Sequence, residues 1–189
     1  MVNAIIMKDF FNGGIVIKKI NEQSGLIILR NTEESDLDFV VNTESQPENA
    51  QYVLQWSKEQ HKAALTNEDI LHLVVEDKEA QKLVGYLIVA GLQNYDRNIE
   101  LKRITISEKG KGYGREAIKL IRKISFEELN GHRLWLDAVC KNHRAHKLYE
   151  SEGFVKEGIL RECMFINGKY ESIVVMSILE EEYNNKFKK

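Results

Sequence analysis

The stretch best suited to chemistry is a glycine-rich loop that leads directly into a helical pattern. In 108-EKGKGYGREAIKLI-121 three glycines occupy alternate positions, with basic residues beside them. Glycines let a backbone turn tightly and approach a ligand closely, and the first amide groups of a helix are unpaired and favour an anion. The loop therefore predicts a phosphate cradle. Its donors would be the amides of residues 111–115, with Lys109, Lys111 and Arg115 adding positive potential.

Two common phosphate-binding patterns do not account for this loop. The P-loop pattern G-x-x-x-x-G-K-[ST] is absent, and the dinucleotide pattern G-x-G-x-x-G fails because Arg115 stands at its third glycine position. A dinucleotide loop would also follow the first strand of a parallel domain, whereas four strand-like segments precede this one. On the residues alone, a plain glycine-rich turn before a surface helix stays open as the alternative.

The strand before the loop contains a shift in its alternation. In 98-NIELKRITIS-107 the apolar residues change parity between Leu101 and Ile104, although a regular strand keeps one parity. A β-bulge near residues 102–103 is the simplest cause, and a bulge leaves backbone groups without ladder partners. Glu100 precedes the shift. It is either a solvated strand residue or a carboxylate in a cleft, acting as a base directly or through water.

Along the chain, strand-like and helix-like patterns follow one another in the order β-α-α-β-β-β-α-β-α-β-β. This order predicts one mixed α/β domain of the α+β type, with helices packed on a mostly antiparallel sheet. We expect helices over residues 31–45, with Thr32 as the N-cap, and over residues 48–65. Asn167-Gly168 between two strand-like runs predicts a terminal hairpin.

The domain is expected to span residues 26–183. Residues 1–25 would be an N-terminal extension with a candidate short strand at residues 15–17 after a turn at residues 12–14. Residues 184–189 would be a tail, and the chain from Glu180 onward is expected to be solvated and frayed.

Composition excludes several classes of protein. The 189 residues carry a net charge of -2, with 43% hydrophobic and 30% charged residues. A nucleic-acid-binding domain would be basic, no apolar run is long enough for a membrane span, and the N-terminus lacks the pattern of a signal peptide. Cys140 and Cys163 lie in apolar runs and are expected to be buried free thiols. The histidines show no metal-ligand spacing, so we expect no metal and a cytoplasmic protein.

Two motifs resemble the GNAT superfamily of N-acetyltransferases. The loop 109-KGKGYG-114 resembles its (Q/R)-x-x-G-x-(G/A) acyl-CoA signature, with Lys109 keeping the positive charge of the usual Gln or Arg. The stretch 142-NHRAHKLYESEGF-154 resembles its N-x-x-A-x-x-L-Y-E-x-x-G-F motif. The resemblance covers about residues 26–180. Residues 99–104, 158–163 and 168–183 look most like the branch of ribosomal-protein alanine acetyltransferases and spermidine acetyltransferase.

The resemblance implies a fold and a co-substrate. The fold would be a mixed, mostly antiparallel sheet with a bulged, splayed central strand pair and flanking helices. The co-substrate would be acetyl-CoA. Its pantetheine arm would pair with Ile104, Thr105 and Ile106, and Asn142, an N-cap by its position, would also bind that arm. Its pyrophosphate would lie on the amides of the loop residues Gly110, Lys111, Gly112, Tyr113, Gly114 and Arg115, with Lys109 beside them.

The implied reaction is an attack by an amine on the thioester. Alkyl amines have a pKa near ~10.4, so a base must remove a proton, and Glu100 corresponds to the base of some relatives. A bulge N–H near Arg103 or Ile104 would stabilise the oxyanion. Tyr149 is the family's usual proton donor to the leaving thiolate; a buried ring with a bonded hydroxyl is the alternative. Nothing near Cys140 is built to activate it, so attack should be direct.

The acceptor is not identified by the sequence. Residues 31–57 contain six acids and no Lys or Arg; an acidic wall would suit a small-molecule amine such as a polyamine, or a peptide N-terminus, although acids at a helix start are ordinary. Tyr52, Trp56 and Tyr95 are candidates for the pocket or for the core. An acyl-CoA-binding sensor without catalysis is the alternative function, and the terminal hairpin is a candidate homodimer surface.

Overall fold

The structure, a computed structural model, describes residues 19–188. Its centre is an eight-stranded sheet in the described chain with the spatial order β1-β2-β3-β4-β5-β6-β8-β7. All neighbours are antiparallel except β5 and β6. The strands are Asn21–Gln23 (β1), Ile27–Asn31 (β2), Ile70–Asp77 (β3), Lys82–Ala90 (β4), Asn98–Ile106 (β5), Arg133–Val139 (β6), Val155–Ile166 (β7) and Lys169–Leu179 (β8).

Six α-helices flank the sheet in the same part of the chain. They are Leu37–Ser45 (α1), Pro47–Ala50 (α2), Lys58–Ala64 (α3), Tyr113–Lys123 (α4), His143–Ser151 (α5) and Glu180–Lys186 (α6). A 3-10 turn, Glu34–Asp36, precedes α1, and a π-helical turn, Ile124–Glu128, continues α4. The predicted mixed, mostly antiparallel architecture is confirmed.

The centre of the sheet is split, as expected. Strands β5 and β6 pair in parallel only over Asn98–Glu100 and Arg133–Trp135, so among the described residues the rest of β5 has no paired strand on that side. The predicted bulge is confirmed as well. Ile88 of β4 pairs with Arg103 and Val89 pairs with Leu101, which leaves Lys102 as the extra residue.

The main core lies between the sheet and α4. The apolar positions of α4 face this core because they recur at helical spacing, and Ala117, Ile118 and Ile121 are fully buried there. They pack with strand residues such as Leu87 and Leu134. Burial of this helix fixes its N-terminus, and therefore the glycine loop, against the split in the sheet.

Three expectations about the helices and the chain end are wrong. Thr32 does not cap a helix: the 3-10 turn is capped at Glu33, and the Thr32 hydroxyl bonds His72 instead. The helical stretch over residues 48–65 is interrupted between α2 and α3. The chain from Glu180 is not a frayed tail, because it forms α6, whose buried Tyr183 stacks on Phe126 at 4.8 Å.

Other expectations have mixed outcomes. The candidate strand at residues 15–17 and the turn at residues 12–14 lie outside the described residues. Both cysteines are free, but Cys163 is exposed and Cys140 only partly buried. Cys163 lies where the register between β7 and β8 shifts, and an irregular edge strand leaves its side chain without a packing layer.

Candidate active site

A cleft of about 1000 Å³ opens where β5 and β6 separate. One wall is β5, the opposite wall is β6 with α5, and the chain around α2 closes one side. The glycine loop forms the end of the cleft at the start of α4. The sites predicted separately from the loop, the bulged strand and the α5 motif thus meet in one cavity.

The glycine loop presents free amides to this cleft. Gly110 and Gly112 have φ of 85° and 87°, a conformation that favours glycine. Gly112 is the N-cap of α4, and the first helical bond runs from the Glu116 N–H to the Gly112 carbonyl. The amides of residues 113–115 therefore have no acceptor within the helix. They are available to an anion.

The loop is fastened to the sheet by the side chain between its last two glycines. The ring of Tyr113 is buried, and its hydroxyl donates to the Asp77 carboxylate at the end of β3. Asp77 also accepts from the amides of Glu79 and Ala80, and these bonds lower its pKa, the Ala80 amide most. Tyr113 thus positions the loop through its side chain.

The three basic side chains expected to add positive potential each have a protein partner. Lys109 Nζ donates to Asn49 Oδ1 and the Ile106 carbonyl, both at 2.5 Å, and burial lowers its pKa. Lys111 pairs with Glu108 at 2.5 Å, and Arg115 pairs with the buried Glu152. In this state the free donors of the loop are backbone amides.

The exposed side of β5 offers backbone groups at alternate residues. The Ser107 N–H donates to the Val84 carbonyl, and alternation along an antiparallel ladder then points the backbone of Thr105 and Arg103 toward β4. Ile104 and Ile106 point their backbone groups toward the cleft, which both residues line. Thr105 does not line it, because its side chain is buried beneath the strand.

The same alternation separates the two oxyanion candidates. The Arg103 N–H is directed to β4, and its side chain pairs with the buried Glu44 at 2.5 Å and lies 4.6 Å from the centre of the Trp56 ring. The Ile104 N–H faces the cleft. Glu44, which also accepts from the Tyr86 hydroxyl and the Trp56 amide, thus holds the bulge, a role that sequence reasoning missed.

Two carboxylates, Glu100 and Asp137, line the cleft near the narrow end of the split and interact electrostatically. Glu100 belongs to the last β5–β6 pair, and burial raises its pKa, against the opposing effect of Lys102, whose Nζ lies 3.6 Å from Glu100 Oε2. Asp137 on β6 is reached by water but is enclosed by the cleft walls, and this desolvation raises its pKa. The sequence signal for Asp137 was an acid inside the apolar run 134-LWLDAV-139.

Tyr149 projects from α5 into the cleft. Its ring is buried and lies 5.8 Å from that of Phe154. Burial, followed by the negative charge of Asp137, raises the pKa of the phenol. The predicted N-cap is confirmed: Asn142 Oδ1 accepts from the Ala145 amide at 3.2 Å, and Asn142 also lines the cleft.

The acidic wall is mostly neutralised. Asp36 pairs with Arg30, Glu34 with Lys62, and Asp38 with Lys58, besides the buried Glu44. Of the six acids, Glu48 alone lines the cleft. Among the aromatic candidates, Tyr52 and Trp56 line it, whereas Tyr95 is 98% exposed elsewhere.

Residues 19–188 contain neither a metal-ligand cluster nor a membrane-spanning helix. No group of three or more His, Cys, Asp or Glu side chains is arranged to hold a metal ion. No described helix is long and apolar enough to cross a membrane.

The chain is similar to proteins of one family. Residues 27–155 match the acetyltransferase (GNAT) domain. The spermidine N(1)-acetyltransferase of Vibrio cholerae serotype O1 is 38% identical over 114 residues, which are 60% of this chain and 65% of that enzyme. The crystal structure of the Vibrio cholerae enzyme with CoA and spermine has 31% identity and a TM-score of 0.76, covering 83% of this chain and 97% of that one. A dodecameric structure of it has a TM-score of 0.73 at 31% identity, covering 85% and 98%.

Proposed function

The chain belongs to the acetyltransferase (GNAT) family, and we propose that it transfers an acetyl group from acetyl-CoA to a primary amine by direct attack on the thioester. One observation carries the proposal: the split between β5 and β6 joins a loop of free amides to a buried phenol and a carboxylate in one cleft. A phosphate-binding site, an extended backbone edge and acid–base groups are what this transfer requires.

Binding of acetyl-CoA would use backbone more than side chains. The amides of residues 113–115 would take the pyrophosphate, and the cleft-facing groups of Ile104 and Ile106 would pair with the amide-bearing arm. The Ile106 carbonyl is already bonded by Lys109, so Ile104 would contribute most. Asn142 would complete the arm's contacts from the opposite wall.

Proton removal from the amine is assigned to Glu100. A base is most effective when its pKa approaches the working pH, and burial raises the pKa of Glu100 toward it. Asp137, on the facing strand, adds a second negative charge that would attract an ammonium group. The Ile104 N–H would donate to the oxyanion as the amine attacks the carbonyl carbon.

Departure of the thiolate is assigned to Tyr149. The raised pKa of Tyr149 keeps the phenol protonated at neutral pH. Complete proton transfer from this phenol to the thiolate is unfavourable, because the corresponding thiol has a lower pKa, near ~8.5. Tyr149 therefore stabilises the thiolate by hydrogen bonding. Two protons leave the nitrogen: Glu100 takes the first from the ammonium and passes it to solvent, and the second, lost after the attack, ends on the CoA thiolate as the C–S bond is replaced by C–N.

The acceptor is proposed to be a polyamine or a similar cationic amine. The relatives named above act on spermidine or hold spermine by their names. In this chain the support is the pair of carboxylates in the cleft, Glu100 and Asp137, since the ion pairs described above leave little of the acidic wall free. A peptide N-terminus carries the same ammonium group and is the second acceptor to test.

The test is thiol release from acetyl-CoA with polyamines, amino acids, aminoglycosides and Ala- or Ser-initiated peptides. Tyr149→Phe should lower kcat by about 10- to 100-fold, which is the loss of one hydrogen bond to a charged group, with little change in CoA affinity. Tyr183→Phe is the matched control: Tyr183 is also buried, but it bonds Glu127 away from the cleft. CoA binding without turnover on any amine would favour the sensor, and no binding of CoA would reject the proposal.

We also propose self-association through the terminal hairpin. Its apolar side chains are exposed: Leu160 by 52%, Phe165 by 59% and Tyr170 by 68%. Contiguous exposed apolar residues of this kind mark interaction surfaces, and a structure of the Vibrio cholerae enzyme is dodecameric. Light scattering should give a mass above 21.9 kDa, and Phe165→Ser with Tyr170→Ser should lower it. A monomer at micromolar concentration would reject this.

A further inference from the structure

Seven Lys and Arg side chains line the cleft, and two of them differ from the rest. Five engage a carboxylate or a hydrogen-bond acceptor: Lys102, Arg103, Lys109, Arg115 and Lys141. Within residues 19–188, Arg144 and Lys147 have no ion pair and no hydrogen bond from their side chains. Both are on α5, in the wall opposite β5.

The two unpaired cations carry an electrostatic cost in the free protein. They stand three residues apart on one face of α5, and like charges at that spacing destabilise a helix. Arg144 also lies in the first turn of α5, which contains no acid, and a cation there opposes the helix dipole. A bound anion would remove each of these costs.

The position of the pair indicates which anion it meets. Arg144 lines the same cleft as the glycine loop, and its charge adds to burial in lowering the pKa of Lys109. We assign the amides of residues 113–115 to the pyrophosphate, which leaves the pair available to a second anionic group of the same ligand. Glu48, an acid of the same cleft, acts on Lys109 but makes no ion pair with either cation.

We propose that Arg144 and Lys147 bind the 3′-phosphate on the ribose of CoA and make the enzyme select CoA over dephospho-CoA. This inference rests on the proposed function. A phosphomonoester carries a charge near ~-2 at neutral pH, which two cations can match, and charge-assisted bonds to phosphate are the strong ones. The other contacts proposed for CoA, through backbone groups and Asn142, involve the pyrophosphate and the arm, which both ligands share, so they would not distinguish the two ligands.

The experiment is calorimetric titration of CoA and of 3′-dephospho-CoA into the full-length protein. Wild type should bind CoA about 10-fold or more tightly than dephospho-CoA, one such contact being about a tenfold effect. The double variant Arg144→Ala with Lys147→Ala should lose most of that preference, while its affinity for dephospho-CoA stays within about twofold of the wild-type value. The preference should also shrink as salt rises.

The matched control is Lys156→Ala. Lys156 is an exposed lysine on β7 that also has no partner in the described chain but does not line the cleft, so its variant should keep the full preference. Equal binding of both ligands by wild type would overturn the 3′-phosphate site alone. Equal weakening of both ligands in the double variant would overturn it too. Failure of both ligands to bind wild type would overturn the proposed function, and the site with it.

Discussion

Gly112 is the residue at which the loop's geometry can be tested most directly. Its φ of 87° is left-handed, which costs an L-residue roughly 1–2 kcal/mol. An added methyl group would meet Leu26 Cδ2 at 3.5 Å, an ordinary contact distance. Crowding therefore adds little, and conformational strain is the main effect of Gly112→Ala.

The strain caused by Gly112→Ala must lower either the free energy of unfolding or the affinity for CoA. If the Tyr113–Asp77 bond holds the loop, the free energy of unfolding should fall by about 1–2 kcal/mol, or roughly 2–8 °C in Tm. If the loop relaxes instead, stability is kept and CoA must restore the strained form, which weakens binding by about 5- to 30-fold. The two losses should sum to about 1–2 kcal/mol.

The assay is urea denaturation together with calorimetric titration of CoA, with Gly168→Ala as the control. Gly168 has a φ of 78° and nothing within 4 Å of an added Cβ, but it lies in the turn between β7 and β8. Its variant should lose similar stability and keep its CoA affinity. The reasoning is refuted if Gly112→Ala loses neither quantity, or if Gly168→Ala weakens CoA as much as Gly112→Ala does.

Three further predictions concern titration and packing. Glu100→Gln should abolish the acidic limb of the pH profile of kcat/KM. In wild type the midpoint of that limb should lie above the usual range for a carboxyl group, because burial raises the pKa of Glu100. An unchanged limb in the variant would exclude Glu100 as the base. Burial lowers the pKa of His72 to about 3, so the NMR signals of its ring should not titrate as the pH falls to about 5. The free energy of unfolding should fall by up to about 1.4 kcal/mol per pH unit below about 6.5, because only the unfolded state takes up this proton there. A His72 titration near 6.5 would contradict this. Phe187→Ala should lower the free energy of unfolding in urea by about 1–3 kcal/mol, because the Arg122 guanidinium lies 3.5 Å from the centre of its ring. Lys188→Ala should leave the free energy of unfolding unchanged. Equal effects of the two substitutions would mean that the chain end does not pack.

The features that the sequence predicted well depend on neighbouring residues. The bulge followed from the parity change between Leu101 and Ile104, because side-chain alternation is a local property of a strand. The cap at Asn142 and the hairpin turn at Asn167–Gly168 are also set within four residues. The cleft could be predicted from such local signals because residues of both family motifs line it.

The features that were missed depend on contacts between distant residues. Glu44 and Arg103 are 59 positions apart, and Lys109 reaches Asn49 across 60, so no local pattern shows that the Lys109 ammonium is taken up by the protein. The pairing of the acids in residues 31–57 was missed for the same reason: three of the carboxylates are matched by Arg30, Lys58 and Lys62, which lie outside that range. Composition counts charges but does not show which ones are paired.

The distribution of charge in the cleft argues for an order along it. At the narrow end lie two carboxylates, Glu100, which is beside Lys102, and Asp137. The cleft walls raise the pKa of both, so a further cation there would be favourable. At the loop end, free amides stand beside Arg144 and Lys147, and an anion there would be favourable. An anionic thioester and a cationic amine entering such a cleft are each attracted to one end and repelled from the other. Their reacting groups are thereby brought together between the ends, beside Tyr149 and the free Ile104 N–H, where Coulomb forces alone favour the orientation that the reaction needs.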